Sequence, residues 1–376
     1  MAATLVSQWA RLVLELQPEP LAAYGHLDIE EIFAGTRVLE LHWPYWEFAF
    51  QYQPVIGWGT AFLSYFASHL VFVVLAWGVL MAAAAGVVAS LLTRLVGARR
   101  TMVFWSLSPQ LLLFGGANFD ALAVLSIVAA VAFFARERFL GAGGALGFGT
   151  ATKLFPAVAV PPLVIGLWRR GARRSAIALA IAAALVVLIL DAPAVVAPHS
   201  LLGSAVIPYR FWNLDSVWLP FAIVLGGFFD QGTVDRIVDL VSLLGLAATY
   251  GALVVRPALR GRDPVRAGWV AVCAVLLWTR LYSPQYALWL LPVFALYVPR
   301  PGLLGFMFVG DALAFGTIFG LRGLGLNVED PLALWVLGLM VIGVVVRHVA
   351  LVLLLIAAQG STVVSAATTG RTRLAL

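Results

Sequence analysis

Between Tyr24 and Pro54 the chain reads YGHLDIEEIFAGTRVLELHWPYWEFAFQYQP, which holds the carboxylates Asp28, Glu30, Glu31, Glu40 and Glu47, two histidines and one cation, Arg37. A carboxylate in such a segment can act as a general base, taking the proton from a hydroxyl nucleophile. Tyr24, Trp43, Tyr45, Trp46 and Tyr52 are residue types that stack on sugar rings, and equally types that line a membrane–water interface. On this segment alone, an aromatic belt with a solvated acidic face explains the residues at least as well as a catalytic loop does.

Five cations fall in the same set of loops as these acids: Lys153, Arg210, Arg236, Arg280 and Arg322. Lys153 and Arg280 sit where apolar runs are broken, at Lys153-Leu-Phe-Pro156 and Arg280-Leu-Tyr-Ser-Pro-Gln-Tyr286. A charge at membrane depth is costly without a partner. Phosphate oxygens would be one such partner, since both cations and helix ends favour them. Pairing with Asp120, Asp215 or Asp311 is the plainer alternative, and Asp311 is itself a mid-span acid. Gly-rich phosphate loops, paired His/Cys metal spacing and Gly-x-Ser-x-Gly elbows are absent from the sequence. His26 and His42 have no third ligand nearby, so neither a metal nor another cofactor is expected.

The elements that must position these groups are membrane helices. The chain is 62% hydrophobic and 11% charged, with a mean hydropathy of +0.98. Soluble domains carry roughly 25% charged residues. The class is therefore an all-α, polytopic transmembrane bundle forming one domain over residues 1–376. Long continuous apolar runs exclude a barrel, and the single cysteine, Cys273, excludes disulfides. A net charge of +6 does not call for a nucleic-acid partner, because the basic residues cluster in short loops. All but one of the 24 basic residues are arginine; fourteen of these are grouped at 94–100, 136–138, 169–174, 256–266 and 300, and these loops are placed in the cytoplasm. Most carboxylates fall in the alternate loops, which are placed outside.

The implied crossings are 69–92, 102–117, 119–135, 140–152, 156–168, 175–192, 234–255, 267–279, 284–298, 302–320 and 332–357, about eleven in all. Four of them (140–152, 156–168, 267–279 and 284–298) fall short of the ~20 residues a span needs. Each short pair meets at one of the two polar breaks, so a cavity floored by those breaks and open to the outside is expected. Segments 54–67 and 217–229 should lie along the interface. Residues 1–57 form an outer N-terminal segment, 58–357 the bundle and 358–376 a cytoplasmic tail. Near the start, Leu5, Trp9, Leu12, Val13 and Leu16 share one helical face opposite Gln8, Arg11 and Glu15, the pattern of an amphipathic helix lying on the membrane surface. The following acidic tail would then cross with no leading span, and a missing upstream span is the favoured reading.

The motif order resembles the GT-C class of polytopic glycosyltransferases, and within it the polyprenyl-phosphate-mannose-dependent mannosyltransferases of glycosyltransferase family 87. An outer-loop acid followed by Gly, Pro-Tyr and a Tyr-Pro-Pro step is matched by Asp28, Gly35, Pro44-Tyr45 and Tyr52-Gln53-Pro54. Asn-x-Asp is matched by Asn118-Phe119-Asp120 and Lys-x-x-Pro by Lys153 to Pro156. Ser-Pro-Gln-Tyr with Trp-x-x-Pro is matched by Ser283 to Tyr286 and Trp289 to Pro292. Gln53 replaces a proline of the pattern, and the leading transmembrane helix is not seen.

The resemblance implies an inverting, metal-free transfer with Asp28 as base. A mannosyl or related unit would move from a polyprenyl-phosphate donor to a lipid or glycan acceptor, at the outer face of the plasma membrane. Lys153, Arg280 and Arg210 would meet the phosphate, with Tyr45, Tyr52, Asp120, Gln285 and Tyr286 lining the substrate site. The alternatives are a lipid-linked glycan transporter or flippase and a non-catalytic membrane homologue. A transporter should show an internal hydropathy repeat, which the sequence lacks, and has no use for a long acidic loop.

Overall fold

The computed structural model describes residues 1–15, 37–66, 69–116, 118–202, 216–325 and 331–360. Asp28, Glu30, Glu31, Arg210 and Asp215 lie outside the described residues. Those described form an all-helical bundle. In chain order the helices are α1 (Ala2–Glu15), α2 (Pro54–Phe66), α3 (Leu70–Val96), α4 (Pro109–Phe114), α5 (Asp120–Phe134), α6 (Phe139–Thr152) and α7 (Val160–Arg169). They continue as α8 (Arg173–Val195), α9 (Trp218–Gly226), α10 (Gln231–Tyr250), α11 (Pro264–Trp278), α12 (Leu291–Leu296), α13 (Pro301–Gly323) and α14 (Pro331–Gly360).

Five of these stretches, Val71–Val96, Arg173–Val195, Gln231–Leu259, Pro301–Leu321 and Pro331–Gly360, are long and apolar enough to cross a membrane. The protein is thus a multi-pass membrane protein. The expected run 102–117 is interrupted: Ser108 caps α4 by accepting the Leu111 N–H at 3.2 Å, and Pro109 at its first position has no N–H to continue the preceding helix.

Short and long helices divide by position. The long spans α8 and α10 have only 17% and 11% of their most apolar window buried, so they face lipid. The short helices α5, α11 and α12 are buried on nearly every side, and Leu290 through Leu296 are buried without exception. A helix that is apolar all round belongs inside, and its broken ends are tolerated because protein rather than lipid surrounds them.

Glycines set the closest approaches. A Cβ at Gly143 would lie 2.2 Å from the Leu179 carbonyl oxygen, and one at Gly147 would lie 2.5 Å from that of Ala183. This small-xxx-small step seats α6 against α8. Gly310 and Gly343 do the same for the α13–α14 hairpin, where a Cβ at Gly310 would meet the Arg347 backbone nitrogen at 2.6 Å.

Helix α1 departs from expectation. Its polar residues Thr4, Ser7 and Gln8 face inward, while Leu5, Val6 and Trp9 are exposed. Gln8 donates through Nε2 to the Val74 carbonyl at 2.8 Å, and Ser7 Oγ accepts from the Gly116 N–H at 3.3 Å. Gln8 lies against Gly78 and Met1 against Gly86, so α1 runs antiparallel to α3 at membrane depth. The amphipathic pattern is inverted relative to a surface helix. Where lipid is the solvent, the apolar face turns outward and polar groups pair inside.

Candidate active site

The chain between α6 and α7 breaks at Lys153, which is extended (φ −152°, ψ 139°), and Pro156 then opens a tight turn over Phe155–Ala159. This delivers Lys153 from the end of α6 to Asp120 at the start of α5. Lys153 Nζ lies 3.1 Å from Asp120 Oδ2, and Trp289 Nε1 donates to Asp120 Oδ1 at 2.6 Å. The side chains are 10% and 0% exposed, a buried ion pair. The anion at a helix N-terminus and the cation at a helix C-terminus are each favoured by the backbone dipoles.

Aromatic rings enclose this pair. Lys153 Nζ lies 5.1 Å from the Tyr286 ring centre and 6.0 Å from that of Tyr52, within cation–π range. The Trp289 ring stacks between Phe155 at 3.6 Å and Tyr286 at 4.1 Å. Lys153, Asp120, Tyr52 and Tyr286 are therefore brought together. An ammonium has three donors, of which the bond to Asp120 uses one.

Tyr45 supports this wall from behind. It is fully buried at a left-handed φ of 69°. Its N–H donates to Phe48 O at 2.8 Å, its carbonyl accepts from His199 N at 2.9 Å and its hydroxyl donates to the Tyr52 carbonyl. A Cβ at Gly57 would strike that hydroxyl, so only glycine fits there. Burial first, and then the Asp191 carboxylate nearby, hold the Tyr45 hydroxyl above the usual tyrosine range. Tyr52 in turn packs on Phe119, the residue before Asp120. Glu40 and Glu47 instead flank His42 at 3.6 and 3.4 Å on a largely solvated face.

Arg280 occupies the second break, beyond Trp278, whose carbonyl accepts from Trp218 Nε1 and Ser242 Oγ. Its buried guanidinium pairs with Asp235 at 3.1 Å and with Asp239, one turn apart on α10. Neither carboxylate was among the partners considered for it from the sequence. Gln285, also buried, follows in the tight turn Pro284–Trp289 that carries Tyr286.

Three residues near these breaks escaped the sequence reading. Asp239 stands four residues after Asp235 in an apolar helix, a spacing that places both on one face. Arg347 lies in the middle of α14, fully buried, with its guanidinium 3.8 Å from the Tyr282 ring centre. A lone arginine inside a 30-residue apolar helix was the available signal. Asp191, read only as a marker of topology, lies beside Tyr45.

A buried ion pair walled by aromatics at the broken ends of membrane helices defines a multi-pass membrane protein with a built polar site. The sequence of residues 50–284 matches the model of glycosyltransferase family 87. The match spans more than half of the chain, so the chain belongs to that family and is a membrane glycosyltransferase. Among solved structures it is similar to ArnT from Cupriavidus metallidurans bound to undecaprenyl phosphate, with 16% identity over 98% of this chain and 77% of that one, at a TM-score of 0.33. No curated protein matches the chain.

Proposed function

We propose that the protein transfers a sugar, a mannosyl or related hexosyl or pentosyl unit, from a polyprenyl-phosphate donor to a hydroxyl of a lipid or glycan acceptor at the outer face of the plasma membrane. The observation that carries this reading is Lys153, a buried ammonium at a helix break with donors to spare beyond Asp120 and aromatic faces beside it. Such a group suits a phosphate held at membrane depth. The outer location is supported by the arginine-rich loops, which all fall at the opposite ends of the helices from Lys153 and Asp120.

In the proposed reaction the acceptor oxygen attacks the anomeric carbon as its proton passes to Asp28. The bond from that carbon to the phosphate oxygen breaks, and polyprenyl phosphate leaves with the electron pair. Charge builds on the phosphate oxygens, where Lys153 stabilises it, and the carbon passes through an oxocarbenium-like state with inversion. Arg280, balanced by two carboxylates, holds the second break in place beside the substrate residues Gln285 and Tyr286. Asp28 is assigned from the order of motifs and the need for one base near the acceptor hydroxyl.

The test is transfer of radiolabelled sugar from polyprenyl phosphate in membranes carrying single variants. Asp28→Asn should lower transfer by about 100-fold or more, the range for loss of a general base, while Glu40→Gln and Glu47→Gln stay near wild type. An Asp28→Asn protein as active as wild type moves the base elsewhere.

A further inference from the structure

Arg347 stands on the inner stripe of α14, in register with Met340, Val344, Leu351 and Leu354, and like them it is buried. Those neighbours fill the stripe without desolvating a charge, so filling space does not explain an arginine at this depth. Its guanidinium lies 3.8 Å from the Tyr282 ring centre. A planar guanidinium stacks on an aromatic face and fixes how the ring is turned, which an alkyl chain or an ammonium does not. The arginine is itself held in place, because a Cβ at Gly310 of α13 would meet its backbone nitrogen at 2.6 Å. Tyr282 is fully buried in the irregular stretch 279–283, between α11 and the tight turn Pro284–Trp289. With no helical ladder, this stretch is held largely by side chains: Arg280 ties it to α10, and Tyr282 ties it to α14. From Tyr282 a line of rings leads to the ion pair. Tyr286 is 6.1 Å away, Trp289 stacks on Tyr286 at 4.1 Å, and the Trp289 indole holds Asp120.

We propose that Arg347 is a positioning residue: by holding the Tyr282 ring it sets Tyr286 and Trp289 against Lys153 and Asp120. It acts through Tyr282 rather than on substrate. The inference rests on the transferase reading for its effect on rate, and on geometry alone for its effect on Lys153.

Lys153 is the only lysine in the chain, so the full chain in lipid nanodiscs, labelled with lysine carrying carbon-13 at Cε, reports this one side chain by NMR. The position of its signal depends on the rings beside it. Arg347→Met and Tyr282→Leu should each move the signal. Each should also lower kcat per folded molecule about tenfold or more, the scale of a small misplacement near a reacting centre, with the donor KM little changed. Tyr282→Phe, which keeps the ring face, should be milder than Tyr282→Leu. Because Arg347 acts through Tyr282, the double variant should be no worse than either single one. A strut that only packs the bundle would lower the yield of folded protein and leave the signal and kcat of the folded fraction as in wild type. That result, or single effects that multiply in the double variant, overturns the inference. If Arg347→Met fails to insert, Arg347→Lys takes its place, since it keeps the charge and loses the flat stack; wild-type kcat in it also overturns the inference. So does an unmoved Lys153 signal in Tyr282→Leu, whatever the rate. A signal that moves as expected, in a protein that transfers nothing from any polyprenyl-phosphate sugar, keeps the coupling of Arg347 to Lys153 and removes the transferase reading.

Discussion

Replacing Lys153 by Met separates the structural role of this cation from its chemical one. The substitution keeps most of the side-chain length and removes the charge. It leaves Asp120 fully buried, with the Trp289 indole hydrogen bond and the α5 N-terminus still beside it. Removing one partner of a buried pair costs about 3–5 kcal/mol. The indole hydrogen bond and the helix terminus offset part of that, so a loss near ~3 kcal/mol is expected. Asp120→Asn alone should cost a similar amount, because it strands the ammonium. In Asp120→Asn/Lys153→Met neither charge is left alone, so the coupling energy should recover ~2 kcal/mol or more. Transfer should behave differently. If Lys153 also stabilises the leaving phosphate, activity stays about 100-fold down in the double variant, the usual effect of losing one electrostatic donor. Unfolding in mixed micelles followed by tryptophan fluorescence reports the first quantity, and radiolabelled transfer the second. A double variant that regains both stability and transfer would refute the phosphate role and leave Lys153 as a strut for Asp120.

Two other outcomes follow from topology and packing. With the arginine loops inside, cysteines at Ala34 and Ala192 should react with an impermeant thiol reagent on intact cells, and one at Ala172 should not; the reverse pattern inverts the map and removes the outer-face reaction. Gly147→Val places its Cβ 2.5 Å from the Ala183 carbonyl oxygen, and backbone cannot yield as a side chain can. It should abolish accumulation of folded protein, read by size-exclusion after extraction, whereas Gly144→Ala, with nothing near its Cβ, should behave as wild type.

Much of this protein was written along the chain. Apolar runs between arginine loops marked the long helices to within a few residues, while the expected runs 102–117 and 284–298 are each divided. Lys153-Leu-Phe-Pro156 and the Arg280 segment marked the breaks, because charge and proline end a helix wherever it is folded. The order of Asn118-Phe119-Asp120, Lys153 to Pro156 and Ser283 to Tyr286 pointed to family 87, to which the chain belongs. Which partner each buried charge takes was not written there. Lys153 had three candidate acids and met Asp120, because the last turn of α6 packs closely on α5, where a Cβ at Gly149 would lie 2.6 Å from that of Ser126. Arg280 took Asp235 and Asp239 from a helix more than 40 positions away. The face α1 turns to its neighbours was undetermined too, since one amphipathic pattern serves a helix on water or a helix in lipid. Local sequence fixes where a helix begins and ends; only the assembled bundle decides which ends meet and which solvent each face sees.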